Sequence, residues 1–174
     1  MEYFIMKTDK RLRRLPQIQL SPTFFVNESA KTEIAYVKEY GGLNIEYADY
    51  LQQPVRLISH KFQAILQKYQ PDMVFHRVML IEQSTGKQRS YDAVFPPEIV
   101  CAYREEVKED TNRQLQNFIL DVEKIGKNKI FLAQDFQKEL LVRLDVAESI
   151  LRREANGIWF EPVKAVGRSK WDVR

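Results

Sequence analysis

Met73-Val74-Phe75-His76-Arg77-Val78-Met79-Leu80-Ile81-Glu82-Gln83 is followed by Ser84-Thr85-Gly86-Lys87 and then by Gln88-Arg89-Ser90-Tyr91-Asp92-Ala93-Val94-Phe95. The first run is apolar with little alternation, as expected of a strand buried on both faces. The short polar turn with its glycine reverses the chain, and the second run returns as the other arm of a hairpin. Pro96-Pro97 then closes the arm, because proline has no N–H to give a ladder. Upstream, Phe62, Ile65, Leu66 and Tyr69 recur at helical spacing, while Lys61, Gln63, Gln67 and Lys68 face away. Ser59 is placed to cap that helix and Pro71 to end it. A second helix is predicted from Asp145, with Val146, Ala147, Ile150, Leu151 and Ala155 inward and Asn156-Gly157 closing it. Ile158 to Val163 follows as a strand.

Further strands are expected at Tyr3 to Lys7, Thr32 to Glu39, Ile99 to Tyr103 and Leu140 to Val142. Phe118 to Val122 and Lys129 to Ala133 bracket Gly126 and read as a second hairpin. Residues 9–30 are irregular, and 104–114 form a solvated acidic stretch. The fold class is therefore α+β: a mainly antiparallel sheet with two amphipathic helices packed on it. Residues 1–163 form a single domain, and 164–174 read as a basic C-terminal tail. An internal echo runs through this order. Ile65-Leu66 and Ile150-Leu151, Phe75 and Phe160, and Val78 and Val163 stand 85 positions apart. Each set lies in a strand, helix, strand outline, which two similar helices on one sheet would also produce.

The chain has 174 residues, of which 44% are apolar and 29% charged. That composition supports a packed core and excludes a disordered chain. The net charge of +3 sits at the ends. Lys7, Lys10, Arg11, Arg13 and Arg14 outweigh Glu2 and Asp9 in the first twenty residues. Lys164, Arg168, Lys170 and Arg174 outweigh Asp172 in the last eleven. The body between is slightly acidic, which argues against nucleic acid as the main partner, since that needs a basic face on the folded body. A weak nucleic-acid contact through the basic termini is the residual version of that reading. No apolar run spans a bilayer and no secretory signal is evident, so the expectation is a cytoplasmic protein with no membrane partner.

Catalytic patterns are sparse. Cys101 is the lone cysteine and sits in an apolar run, where a buried structural thiol is the default. It rules out an intramolecular disulfide and a multi-cysteine metal site, and two histidines, His60 and His76, leave no multi-histidine site. No phosphate-cradling glycine loop or nucleophile elbow is present. The expectation is therefore no cofactor, no metal, no catalytic residue and no enzyme activity. The enzymatic alternative is a site centred on His76, which adjoins Arg77 in the apolar strand. Tyr36, Tyr40, Tyr47 and Tyr50 are interleaved with Glu39, Glu46 and Asp49. Tyrosine on a polar segment suits protein recognition, with large area, few rotors and a polar tip. Tyr40, Glu46, Tyr47, Asp49 and Tyr50 are the candidate partner-binding residues, with Tyr40, Tyr47, Asp49 and Tyr50 expected to be exposed.

Lys129-Ile130-Phe131-Leu132, Leu140-Leu141-Val142 and Asn156-Gly157-Ile158-Trp159-Phe160-Glu161-Pro162-Val163 together resemble the bacterial immunity-protein family eleven of polymorphic toxin systems, the MXAN-type domain. Tyr3-Phe4-Ile5-Met6-Lys7 and the helix after Ser59, followed by Val74-Phe75 and Val78, are similar to its layout. The likeness spans residues 2–163 and rests on structural motifs. It implies a non-catalytic cytoplasmic protein that binds and neutralises a cognate toxin domain. A basic, nuclease-like toxin would be complemented by an acidic face.

Overall fold

The computed structural model describes residues 1–22, 24, 32–38, 41–42, 44–103 and 118–167. The acidic stretch at 104–114 and Tyr40 lie outside them. Among the described residues, twelve strands form two six-stranded sheets. Along the chain they are β1 (Tyr3–Thr8), β2 (Gln17–Gln19), β3 (Glu33–Lys38), β4 (Tyr50–Leu51), β5 (Leu57–Ser59), β6 (Val74–Glu82), β7 (Gln88–Phe95), β8 (Glu98–Ile99), β9 (Ile119–Asp121), β10 (Ile130–Ala133), β11 (Glu139–Arg143) and β12 (Ile158–Val166). The helices are α1 (Gln63–Tyr69, entered through a 3-10 turn at His60–Phe62), α2 (Val122–Ile125) and α3 (Leu144–Leu151). The first sheet runs β8-β10-β11-β1-β12-β9 and the second β2-β3-β6-β7-β5-β4. The fold is thus mixed and dominated by sheet, with three short helices among the described residues.

Strand alternation sorts the core. Met6 of β1, Val142 of β11 and Ile130 of β10 join Ile58, Val94 and Tyr50 of the second sheet in one central cluster, with Phe62, Leu66, Val146 and Ile150 from α1 and α3. Their strand neighbours point the other way. Tyr3, Ile5, Phe131 and Leu141 pack behind the first sheet with Cys101, Leu120 and Ile125. Leu51, Leu57, Val78, Leu80 and Ala93 pack behind the second. Strands β10 and β11 are buried on both sides, which explains their apolar runs without alternation, whereas β6, expected to be buried on both faces, is fully buried only at Val78 and Leu80.

The internal echo has a structural counterpart. In one half β5, α1 and β6 place two parallel strands on either side of antiparallel β7. In the other, β11, α3 and β12 do so around β1. The registers agree strand by strand. Val78 faces Tyr91 as Val163 faces Tyr3, and Ile58 faces Asp92 as Val142 faces Phe4. Tyr50 faces Ile58 as Ile130 faces Val142, and Ile34 faces Met79 as Ile119 faces Lys164. Counted from the preceding strand, Leu66 falls on Ile150, one position from the sequence match. Leu66 and Ile150 are buried, whereas Leu151 is exposed.

Several local expectations are corrected. Gly126 does not turn a hairpin: with φ of 60° it closes α2, and β9 pairs with β12 while β10 pairs with β11 and β8. Ser59 makes no side-chain cap, and Asp145 lies inside the first turn of α3, gripping Arg143 at 2.6 and 2.8 Å. That pairing holds the Asp145 carboxyl down to about 2. The strand expected to end at Val163 continues to Val166, because Lys164, Ala165 and Val166 pair with β9. The start of the expected tail therefore belongs to the sheet.

Candidate functional site

The acidic and aromatic stretch before β4 turns inward. Tyr50 has no exposure, and its ring belongs to the central cluster. Asp49 is tied down at 2.8 Å by Lys61 and at 2.7 Å by the Asn156 N–H. The Asp49 N–H donates to the Asn156 carbonyl at 2.7 Å, and the Asn156 side chain donates to the Tyr47 carbonyl at 3.0 Å. Tyr47 donates its hydroxyl to Glu82 at 2.9 Å and lies under the Arg89 guanidinium, 4.1 Å from the ring centre. Partial burial, then the Glu82 hydrogen bond, pushes its phenol up. Glu46 accepts the backbone N–H groups of Arg14 and Arg13 at 2.9 and 3.0 Å, which hold its carboxyl below the usual range.

Residues 46–50 therefore join the two sheets. The expectation that Tyr47, Asp49 and Tyr50 are exposed is corrected: Tyr50 completes the core, Asp49 locks the approach to β12, and Tyr47 is half-buried between Glu82 and Arg89. Nor do Glu46 and Asp49 offer an unengaged acidic face. The basic run is partly used in the same way, since Arg11 chelates Asp9 and Arg14 approaches Glu46 at 3.7 Å.

The Tyr50 hydroxyl is buried with no hydrogen-bond partner. Burial pushes its phenol up, opposed by the nearby Arg56 side chain, whose Nη2 donates to the Lys138 carbonyl. A buried hydroxyl without a partner costs about 1–3 kcal/mol. Tyr50→Phe is accordingly expected to leave stability unchanged or raise it by up to about 1 kcal/mol. Urea unfolding reads this directly, and a clear loss would show that the hydroxyl is satisfied after all.

Sequence reading missed the most polar cluster of the interior. Asp92 on β7 is buried, and its two oxygens are taken by Arg77 Nε at 2.8 Å and His60 Nδ1 at 2.7 Å. Arg77 Nη2 lies 3.0 Å from His60 Nε2. Since Arg77 can only donate, this contact makes Nε2 the acceptor and leaves Nδ1–H to donate to Asp92. Both ring nitrogens of His60 are engaged, so the ring has no lone pair turned to a substrate. His76, by contrast, does not share the Arg77 site, because neighbours on a strand face opposite ways. Its ring stands edge-on to Phe95 at 5.3 Å. The signal for the cluster was the lone carboxylate inside the apolar run Tyr91 to Val94.

The other half of the molecule shows what this position holds otherwise. Arg77 faces Asp92 where Pro162 faces Phe4, and by the same count His60 stands where the other half has Leu144. An apolar set thus suffices for the fold on one side, and a charged set replaces it on the other. Beyond the cluster, the same face of the second sheet carries Ile34 and Tyr36, half exposed at 50% and 46%. Their cross-strand neighbours are Met79 and Ile81.

Among the described residues, no set of His, Cys, Asp and Glu is grouped so that it could hold a metal ion. No helix among them is long and apolar enough to cross a membrane. Scanned against protein-family models and curated proteins, the chain matches none.

Proposed function

We propose that this chain acts by binding another protein, as an immunity-type inhibitor that neutralises a cognate toxin domain in the cytoplasm. The carrying observation is the half-exposed pair Ile34 and Tyr36 on β3, beside partly buried Met79 and Ile81 on β6, on a sheet face that elsewhere packs into the central cluster with α1 and α3. Apolar and aromatic groups left at the surface together mark recognition surfaces. The closed His60–Asp92–Arg77 cluster supports the same reading, because its histidine is committed to holding an arginine. The resemblance of residues 2–163 to an immunity family supplies the kind of partner. Co-expression with a cognate toxin domain is expected to protect growth and to yield a stoichiometric complex on gel filtration. The absence of both protection and a complex would refute the proposal.

A further inference from the structure

We infer that the strip between β3 and β6 docks a partner-protein segment that presents a carboxylate flanked by apolar side chains. This deepens the binding reading above and rests on it. The strip's apolar part is Ile34, Tyr36, Met79 and Ile81, adjacent across two parallel strands. A cation stands at each end. Arg77 is the next residue on this face along β6, and Lys38 the next along β3, by the alternation of the strands. Lys38 is exposed, and Arg77 keeps 35% of its side chain exposed.

The Arg77 guanidinium is held in plane by Asp92 and His60, which occupy Nε and Nη2. Among the described residues, none accepts a hydrogen bond from Nη1. A guanidinium fixed in this way gives up little freedom when a carboxylate docks on its open edge. The only carboxylate on this face among the described strand residues is Asp92, which is buried and already paired. Glu33 and Glu82 fall on the opposite face by the same alternation. The surface is therefore apolar with positive ends, the reverse of the acidic face expected from residues 46–50.

The chemistry favours this occupant over the rivals. A second copy of the chain would set like patches against each other, bringing Arg77 and Lys38 towards their own kind with no carboxylate to meet them. Single-stranded nucleic acid takes several stacked aromatics, and here Tyr36 stands with aliphatic neighbours.

The test uses 4-phenylbutyrate, a carboxylate with an apolar ring, against 4-phenylbutylamine and inorganic phosphate. Each is titrated into the full chain and followed by 1H–15N spectra. The carboxylate is expected to shift the Arg77 Nε–H and the amides of Ile34, Tyr36 and Met79 saturably, with the amine at least about tenfold weaker. Arg77→Gln should remove this binding. Tyr36→Ser, an exposed substitution that leaves the Arg77 cluster alone, should weaken it several-fold. Equal shifts with the amine, the same pattern with phosphate alone, shifts that follow protein concentration alone, or no saturable shift at the strip would each overturn the inference. A toxin complex indifferent to both variants would overturn it while leaving the immunity reading intact. Carboxylate binding at the strip without growth protection would do the opposite.

Discussion

Gly157→Ala is expected to destabilise the chain by about 2–5 kcal/mol, from a left-handed backbone cost and an overpacking cost together. Gly157 has φ of 68°, a conformation that costs a side chain energy in any surroundings. A Cβ built there would lie 2.7 Å from the Ala48 Cβ, 3.0 Å from the Ala48 Cα and 2.6 Å from the Leu12 Cδ1. Leu12 can swing its methyl aside. Ala48 cannot, because its carbonyl accepts the buried Tyr91 hydroxyl at 2.7 Å and the Asp49 N–H that follows it is bonded to Asn156. The Gly157 carbonyl in turn accepts from the Asp9 N–H at 2.9 Å. One methyl group would thus push on the seam between the two sheets. Gly86 is the control: its φ of 66° is nearly the same, but nothing lies within 4 Å of its Cβ position. Gly86→Ala should therefore cost only about 1 kcal/mol, the conformational part. The gap between the two urea midpoints measures the crowding, and equal midpoints would show that the seam yields.

The same seam explains what could be read from the chain and what could not. Strand and helix placement around 57–95 and 139–163 follows from local patterning: apolar runs, a glycine turn, helical spacing and prolines that stop each element. The echo between Phe75 and Phe160, and between Val78 and Val163, was visible because equivalent strands present the same alternation to the same layers. What failed was long-range. Whether Tyr47, Asp49 and Tyr50 face solvent depends on Asn156 and Lys61, more than a hundred and about ten residues away, and no local pattern contains that information. Phe118 to Val122 and Lys129 to Ala133 look like hairpin arms, yet a four-residue helix capped by Asp121 lies between them and sends each to a different partner. The strip on β3 and β6 is hidden for a similar reason. Ile34 and Tyr36 mark a strand, but which face of β3 is covered depends on segments distant in the chain.

Asp92→Ala is expected to cost about 2–3 kcal/mol, somewhat less than a fully buried pair because Arg77 and His60 keep part of their surface in water. Removing Asp92 leaves a guanidinium and an imidazole that were placed to serve it. Replacing the whole cluster, with Asp92→Leu, Arg77→Met and His60→Leu together, is expected to return stability to within about 1 kcal/mol of the parent, since apolar sets often substitute for buried ions at no loss. The fold itself supplies the precedent, because Phe4, Pro162 and Leu144 occupy the corresponding places in the other half. Chemical denaturation of the single and triple variants decides between two roles. If the triple variant is as unstable as Asp92→Ala, the cluster is a structural necessity of this half, and the precedent does not transfer. If the triple variant is stable but no longer binds a carboxylate at the strip, the charged set is retained at the expense of an equally good apolar one. Its reason then lies outside folding, in holding one guanidinium still beside an uncovered apolar strip.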